Sequence, residues 1–481
     1  MENREEKVMI KKTSLIFLIL VITLNLASCQ MENRGNTRQV GKVIKKNFNP
    51  IGKLTGIKTD YKLSLKMKKD EKFEVQAYIT VTNITKDKLN NIKLYFIPNM
   101  FTKENSPTLQ HPSKIHIKSI RVNDIQTQYN LNQDTLTIPS KVNLENNQTV
   151  SLSISYSFTL PDQGFRFTKQ NENFFLAQWY PMVPTYIEGK GWNKHPYQFK
   201  GESYHTTFSN FNLSYEVPNE YTVFTTSDQD EFPSKPSNQL NVRNEKEVFV
   251  GILKNPNVIT KKVGKVEIRL INFNENIQED SLDAAAKSLK YFQSIIGPYP
   301  LRQLDIISSN TGHSGMEYPG IVTVDTSATR NVLRYLIVHE IAHQWFYGVI
   351  SNDPYKDAWL DEGLASVATS LFIAGKNEIP NNNIPIKLAS KPSNLSINQY
   401  TPVEYPSYIY GQSSHELLKI FNQNGGRKAL EMFLKDYYFY YHYKEVDTKE
   451  FLRFLKFELK IKDDKIFENW LNVTGKEKTS S

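Results

Sequence analysis

The stretch Val338-His339-Glu340-Ile341-Ala342-His343-Gln344-Trp345 decides how the second half of this chain folds. Apolar residues recur around it at helical spacing, and they are Val332, Leu333, Leu336, Ile337 and Ile341. The pattern predicts a buried helix that begins at Thr326 or Ser327. His339 and His343 are four residues apart, so both imidazoles lie on one face of that helix and can reach one metal ion.

A second stretch, Trp359-Leu360-Asp361-Glu362-Gly363, supplies the other half of the expected site. Glu362 provides an oxygen ligand from a second helix, and water takes the open fourth position. Glu340 lies about 100° around the axis from His339, so it can hold the bound water without being a ligand. Two histidines and one glutamate with an open position are typical of a catalytic zinc site, so we expect one Zn²⁺ per chain.

These residues resemble the M1 family of zinc metallopeptidases, the gluzincin aminopeptidases. In this chain the ligand Glu362 follows His343 by nineteen positions, as in that family. The segment Ser314-Gly315-Met316-Glu317-Tyr318-Pro319-Gly320 is similar to the G-x-M-E-N exopeptidase motif of the family, with Ser314 and Tyr318 as departures from it. Tyr408-Ile409-Tyr410-Gly411 stands where the family carries its catalytic tyrosine.

The resemblance implies a role for each matching residue. Glu340 would be the general base, and Tyr408 would stabilise the oxyanion, with Tyr410 as the neighbouring alternative. Glu317, beside Gly315 and Met316, would bind the α-ammonium group of a peptide. The family also directs a Glu or Gln from its N-terminal domain at this amine. The candidates here are Glu172 and Gln178, both in the aromatic-rich segment from Glu172 to Trp192.

The N-terminus has the pattern of a bacterial lipoprotein signal peptide, residues 1–28. Lys11 and Lys12 precede an apolar run from Leu15 to Leu26 that is too short for a comfortable membrane span. The run ends in Leu26-Ala27-Ser28-Cys29, which looks like a lipobox, and Cys29 is the only cysteine of the chain. We expect a lipid anchor at Cys29 on the extracytoplasmic face of the cell membrane; an uncleaved signal anchor is the alternative. Residues 29–50 are polar and basic, as expected of a tether.

Residues 51–260 predict an N-terminal β domain. Short alternating runs rich in Thr, Ile, Val and Tyr are separated by Asn- and Pro-rich turns, as in an antiparallel sandwich. Residues 261–481 predict a thermolysin-like catalytic domain, because strands there are followed by long helices. The expected helices of that domain lie at 280–296, 359–372, 408–421, 427–438, 448–459 and 463–471. The fold class is therefore α+β with several domains.

The chain carries a formal net charge of +9, yet it has no basic helix or aromatic-basic motif for nucleic acid, so we expect no nucleic-acid partner. The expected function is a surface-anchored zinc aminopeptidase acting on peptide substrates, in a short form that lacks the C-terminal helical domain of larger family members. A zinc metallo-endopeptidase is the first alternative. The second is a non-catalytic peptide-binding lipoprotein on the same scaffold. The family also includes an epoxide hydrolase, which nothing in the sequence specifically favours.

Overall fold

Long strands in the first half of the chain alternate between buried and more exposed residues. In the strand Ile57–Met67, every second residue from Ile57 is buried and the residues between them face outwards or lie at the edge of the core. The strand Phe73–Asn83 repeats the pattern and pairs with it antiparallel over its full length. Apolar or Thr side chains at alternate positions give one buried face to a strand, which is the period that the sequence predicts for this region.

The computed structural model describes residues 48–53, 55–312, 314–375 and 391–473. The predicted signal peptide, Cys29 and nearly all of the predicted tether lie outside these residues. Within the described part of the chain, no helix combines the length and the apolar character needed to cross a bilayer.

Among the described residues, twenty-one strands, β1 to β21 in chain order, form five sheets. The strands are Ile57–Met67, Phe73–Asn83, Leu89–Tyr95, Ile115–Val122, Ile125–Gln126, Asn130–Asn132, Thr135–Leu144, Thr149–Phe158, Phe167–Gln170, Asn173–Leu176, Tyr186–Ile187, Gly191–Trp192, Ser209–Glu216, Tyr221–Thr225, Ser237–Glu245, Val250–Lys254, Val258–Val263, Val266–Ile271, Gln303–Ser308, Gly315–Met316 and Ile321–Val324.

The largest sheet has seven strands in the order β15-β13-β1-β2-β8-β4-β5. Its pairs are antiparallel except for β1 and β13, which run parallel. A three-stranded sheet (β3-β7-β6) and a four-stranded sheet (β14-β16-β10-β9) contribute to the same apolar core, in which residues such as Leu63, Leu94 and Phe174 are buried together. The expected sandwich-like β region is therefore present.

The second half of the chain is a mixed sheet with helices. The sheet order is β17-β18-β19-β21-β20, in which β18, β19 and β21 are parallel and the two edge strands are antiparallel. Six helices of more than ten residues, α1 to α6, belong to the described residues: Glu275–Ile295, Arg330–Ala342, Trp359–Ile373, Ser413–Gln423, Gly426–Tyr441 and Thr448–Leu459. Short helical turns occur at Ile97–Phe101, Ile397–Gln399 and Glu404–Pro406, and the last continues into a π-helical turn, Ser407–Gln412, that leads into α4.

A second apolar cluster joins the β region to the mixed sheet. Phe224 and Phe249 from the β region pack with Ile307, Met316 and Tyr318 of the mixed sheet and its edge. The Tyr318 ring stacks on Phe249 with centroids 4.4 Å apart. Strand β20, which ends at Met316, is therefore fixed against both parts of the chain.

Three local predictions are wrong. Helix α2 begins at Arg330 after Thr329, so neither Thr326 nor Ser327 starts it. Val332 is 49% exposed, because the first turn of α2 projects beyond the core that buries its second half. The expected helix at 463–471 is a succession of turns, since Phe467, Trp470 and Leu471 reach the core without regular helical hydrogen bonding.

Candidate functional site

Helices α2 and α3 bring the three expected ligands together. His339 and His343 lie at the buried end of α2, and Glu362 lies in the first turn of α3. Glu362 Oε2 is 3.2 Å from His339 Nε2 and 3.0 Å from His343 Nε2, and the two imidazole nitrogens are 3.1 Å apart. These residues are the one group of His, Cys, Asp and Glu in the described part of the chain whose atoms converge as metal ligands do.

The hydrogen bonding of His343 shows that this group fits a cation. Its Nδ1 lies 2.9 Å from the carbonyl oxygen of Phe346, which can only accept, so Nδ1 carries the proton. In the neutral ring, Nε2 therefore presents a lone pair towards a carboxylate oxygen and a second imidazole. Tetrahedral zinc with bonds of about 2.0–2.1 Å places its ligand atoms roughly 3.3–3.4 Å apart. The observed triangle is close to that size.

Electrostatics at Glu362 and His339 agree with this fit. At His343, burial is outweighed by the carboxylates of Glu362 and Glu317, which raise the pKa of the imidazole, so a metal ion bound at Nε2 would replace a proton there. Burial alone would raise the pKa of Glu362, but the adjacent imidazoles of His343 and His339 hold it well below its ordinary range. Its carboxylate is therefore ionised and available to a metal ion. Burial, together with the positive charge of a neighbouring His343, also lowers the pKa of His339. An unprotonated His339 is the form that binds zinc.

The carboxylate of Glu340 packs directly against the backbone of Gly315. A Cβ atom at residue 315 would lie 2.1 Å from Glu340 Oε1, a distance at which something must move. Burial raises the pKa of Glu340 to about 8, with Glu362 and Glu202 reinforcing the shift and His343 opposing it. Gly315 thus provides the space in which the expected general base is held, and this explains why the motif needs glycine there.

Tyr410 is the tyrosine whose hydroxyl the structure places at the site. It donates a hydrogen bond of 2.5 Å to Glu362 Oε1, and its ring lies 5.8 Å from that of His339. The ring of Tyr408 packs against Tyr400 instead, with centroids 5.7 Å apart. Both tyrosines lie in the π-helical turn Ser407–Gln412, whose wider repeat changes which residues share a face.

Glu317 follows strand β20 and is buried, 6% exposed. Burial raises its pKa well above the usual range, and the nearby carboxylates of Glu202, Glu340 and Glu362 raise it further, while His343 opposes the shift. The largest of these charge effects comes from Glu202. Glu317 therefore lies beside the metal ligands and the general base, in surroundings short of positive charge.

Glu202, which the sequence did not single out, belongs to this group. Its Oε1 accepts a 2.8 Å hydrogen bond from the Tyr204 hydroxyl and lies 3.4 Å from Arg166 Nη1. Its Oε2 is buried without a hydrogen-bond partner among the described residues. The segment that carries it is an irregular stretch between β12 and β13, so no periodicity or motif could have identified it.

A buried network connects Glu202 to the end of the metal-binding helix. Tyr204 also lies 2.8 Å from Glu247 Oε1, and Glu247 accepts a further hydrogen bond from the Tyr347 hydroxyl. Tyr347 has a φ of +131°, a backbone conformation that residues other than glycine rarely adopt. It directly follows Phe346, whose carbonyl orients His343. This strained turn, held by Glu247, links the two sides of the site.

The structure corrects the prediction for Glu172 and qualifies that for Gln178. Glu172 lies in the turn between β9 and β10, where its side chain is 64% exposed and forms an ion pair with Lys254. Glu172 is therefore a surface residue outside the site. The amide of Gln178 is buried and donates to Glu247 at 2.9 Å and to Tyr204 at 3.0 Å. Gln178 thus supports the network that holds Glu202.

Gln344 positions the segment after Glu317, a role that the sequence did not reveal. Its amide donates to the Tyr318 carbonyl at 3.1 Å and accepts from the Gly320 amide at 2.9 Å. Since Gln344 directly follows the ligand His343, the metal-binding helix and this segment are joined by two hydrogen bonds. Tyr318, where the family resemblance leads one to expect Asn, is 2% exposed, and its ring belongs to the core next to Met316.

Comparisons with known proteins place these features in a family. Residues 280–470 match the model of the peptidase family M1 domain. Leukotriene A-4 hydrolase of Xenopus laevis is 26% identical over 214 residues, which are 39% of this chain and 35% of that protein. Endoplasmic reticulum aminopeptidase 1 of Homo sapiens is 31% identical over 120 residues, 22% of this chain and 13% of that protein. The chain thus spans 35% or less of the length of these two relatives.

A solved structure extends the likeness over most of the chain. An M1 zinc metallopeptidase from Deinococcus radiodurans superposes with a TM-score of 0.63 at 16% identity, covering 90% of this chain and 97% of that one. At this identity the comparison establishes the fold alone, namely a β region followed by a helical region.

Proposed function

Because residues 280–470 match the model of the peptidase family M1 domain, we propose that this protein is a zinc-dependent aminopeptidase that removes N-terminal residues from peptides. The observation that carries the proposal is the pair of buried carboxylates, Glu317 and Glu202, next to the general base Glu340 and the ligand Glu362. A metallopeptidase needs the zinc ligands and the base, but only an enzyme that recognises a free amine needs further carboxylates at this place.

The zinc ligands and Glu340 have distinct roles in the proposed hydrolysis. A zinc ion held by His339, His343 and Glu362 supplies a Lewis acid that polarises the scissile carbonyl and acidifies water. Glu340, held against Gly315, accepts the proton of the attacking water and transfers it to the departing amine. Burial raises the pKa of Glu340 towards neutrality, which suits a group that must both accept and release a proton.

Tyr410 supports the oxyanion in this proposal. Its hydroxyl reaches Glu362 and its ring lies beside His339, so it is the hydroxyl that the structure brings to the ligand group. An O–H donor aimed at developing negative charge is typically worth about 3 kcal/mol in the transition state. The role that the sequence assigned to Tyr408 is therefore proposed for Tyr410.

Charge balance supports recognition of an ammonium group. The carboxylates that act on Glu317 are those of Glu202, Glu340 and Glu362, and the neighbouring cation is the buried guanidinium of Arg166. Burial and the mutual repulsion of these carboxylates hold the pKa values of Glu317 and Glu340 high, so ionisation of Glu317 calls for a further positive charge beside it. The α-ammonium of a peptide would supply that charge. A hydrogen bond between such an ion and a buried carboxylate contributes roughly 1.5–3 kcal/mol.

Anchoring at the membrane is part of the same proposal. The sequence Leu26-Ala27-Ser28-Cys29 after an apolar run supports lipidation at Cys29, with the mature chain held on the extracytoplasmic face of the membrane. A diacylglyceryl group together with basic residues of the tether, Lys42, Lys45 and Lys46, would bind the membrane firmly.

Metal content and hydrolysis test the core of the proposal together. The purified protein should contain about one zinc per chain and release N-terminal residues from peptides, and a chelator should abolish the activity until zinc is restored. Glu340→Gln should retain zinc and lose turnover. A zinc-free, inactive wild type would favour the alternative of a non-catalytic peptide-binding protein.

A further inference from the structure

A basic groove lies on the mixed sheet, away from the candidate active site. It has a volume of about 870 Å³ and is bounded by the hairpin of β17 and β18, by helix α1 and by the segment that follows α1. None of its lining residues belongs to the metal site or to the Glu202 network. Six cationic side chains line it: Lys261, Lys262, Lys265, Lys287, Lys290 and Arg302.

Asp283 is the only carboxylate among the lining residues, and it pairs with one cation from each wall. Its Oδ1 lies 3.3 Å from Nζ of Lys261 on the hairpin, and its Oδ2 lies 2.6 Å from Nζ of Lys287 on the helix. The hydrogen bond from Lys287, aided by Lys261, lowers the pKa of Asp283, so the carboxylate is ionised at neutral pH. Asp283 therefore compensates one of the six charges.

Four cations remain without a carboxylate within ion-pair distance in the described part of the chain. They are Lys262 and Lys265 on the hairpin, Lys290 on α1 and Arg302 between α1 and β19, and all four are exposed. The lining side chains thus carry five net positive charges. Glu267, opposite Lys262 in the β17–β18 hairpin, and Asp228, which accepts a hydrogen bond from the Arg302 amide, are acidic residues next to them. An anion that enters the groove would offset the remaining positive charge.

The shape and the side chains of the groove limit which kind of anion can bind there. The volume falls in the range of sites for organic ligands, roughly 300–1,000 Å³, which is more than a single inorganic ion requires. The cations approach from three chain segments around a concave surface, whereas a bilayer presents a flat one. Lysine ammonium groups bind phosphate as point charges, and a chain of phosphates places its charges only a few ångströms apart.

We propose that this groove binds a linear polyanion that carries phosphate groups, contacting Lys262, Lys265, Lys290 and Arg302 together. The site is independent of the proposed peptidase chemistry, since it shares no residue with it. For a cell-surface protein, such a site would attach the enzyme to an anionic phosphate polymer in its surroundings.

Binding of inorganic polyphosphate to the full chain tests the proposal. Wild type should bind labelled polyphosphate at low ionic strength and lose affinity as salt rises. The variant Lys262→Ser, Lys265→Ser, Lys290→Ser, Arg302→Ser should bind at least about a hundredfold more weakly, because it loses the four cations that have no carboxylate partner and the counterion release that their phosphate contacts provide. The matched control replaces four exposed lysines elsewhere by serine: Lys88, Lys118, Lys235 and Lys419.

The control variant loses the same charge, so it should change affinity less than about threefold if binding is local rather than due to net charge. Equal losses in the two variants would overturn the proposal. Binding of orthophosphate or polyaspartate as tightly as polyphosphate would also overturn the proposal, since neither is a phosphate chain.

A separate experiment measures binding to vesicles that contain phosphatidylglycerol. If wild type binds these vesicles but not polyphosphate, and the groove variant loses affinity for the vesicles, then the groove binds lipid headgroups and the proposal of a phosphate polymer is wrong. Thermal unfolding of both variants should match wild type.

Discussion

The hydroxyl of Tyr410 donates a hydrogen bond of 2.5 Å to Glu362 Oε1, the carboxylate oxygen that does not face the two imidazoles. Glu362 is thereby held between a tyrosine on one side and His339 and His343 on the other. A phenol has a single O–H, so Tyr410 orients the ligand in this arrangement and would turn from Glu362 Oε1 to donate to an oxyanion that forms nearby.

Tyr410→Phe should lower kcat by roughly a hundredfold to a thousandfold, because one oxyanion donor is lost. Zinc content should be retained, since the three ligands are unchanged. Tyr408→Phe is the matched variant in the same turn and should change kcat far less. Steady-state kinetics with zinc analysis of both proteins decides between the two tyrosines, and a larger defect in Tyr408→Phe would reverse the assignment.

Gly315→Ala should impair catalysis without removing zinc. The added Cβ would meet Glu340 Oε1 at 2.1 Å and displace the general base. A misplacement of about 1 Å in a catalytic group costs on the order of a hundredfold in rate. Gly251→Ala is the control, because its Cβ would meet its nearest neighbour at an ordinary 3.4 Å. Wild-type turnover in Gly315→Ala would show that the close approach does not position Glu340.

Two of the zinc ligands could be predicted from sequence because their geometry is local, and the third, Glu362, from its motif at the family spacing. A spacing of four residues places His339 and His343 on one helical face whatever the rest of the chain does. The alternating strands could be predicted for the same reason. Gln344, in contrast, lies within the same motif, but its role depends on where the segment Tyr318–Gly320 packs, and no spacing encodes that.

Glu202 shows why the amine-binding side could not be predicted. It is 115 positions from Glu317 and lies in irregular structure, and tertiary packing alone brings the two together. Glu172, one of the two candidates that the sequence offered for this role, is in an exposed turn. The family motif assigns the oxyanion role to Tyr408, whereas the hydroxyl at the ligand group is that of Tyr410; both lie in the π-helical turn Ser407–Gln412, whose wider repeat changes which residues share a face.

The buried His205 should make stability depend on pH. Its Nε2 lies 2.9 Å from Glu445 Oε2 and its Nδ1 lies 3.6 Å from Asp353 Oδ2. Burial lowers the pKa of His205, but these two carboxylates outweigh it and raise the pKa above the ordinary value of 6.5. The stabilisation that protonated His205 contributes is therefore fully present below pH 6.5 and is lost as the pH rises through the folded-state pKa of His205. Over that range the free energy of unfolding falls by at most about 1.4 kcal/mol per pH unit.

His205→Gln should remove this alkaline slope, whereas His442→Gln, at an exposed position, should keep it. Urea unfolding across the neutral to alkaline range measures the slope in each protein. Parallel curves for wild type and His205→Gln would show that His205 is uncharged in the native state. The pKa values of Asp353 and Glu445 are lowered in the folded chain, so their contribution declines at acid pH instead.

Cys29→Ala should prevent lipidation, since the thiol of the only cysteine would be the acceptor. The wild-type chain expressed in a bacterium should yield a membrane-associated form that begins at a lipidated Cys29. The variant should give an unprocessed precursor or a released form. Mass spectrometry of the mature N-terminus is the measurement, and an unmodified Cys29 or a different start in the wild type would refute the anchor.

Hydrolysis of matched peptides with free and with acetylated N-termini tests the central claim most directly. The wild type and Glu317→Gln, both loaded with zinc, are compared by kcat/KM on each peptide. Loss of one ammonium–carboxylate contact, roughly 1.5–3 kcal/mol, should lower kcat/KM of Glu317→Gln on the free peptide by about ten- to a hundredfold. Acetylation should be severe for the wild type and nearly without effect for Glu317→Gln. If the wild type instead cleaves acetylated and free peptides equally well, Glu317 does not bind an amine and the enzyme is an endopeptidase.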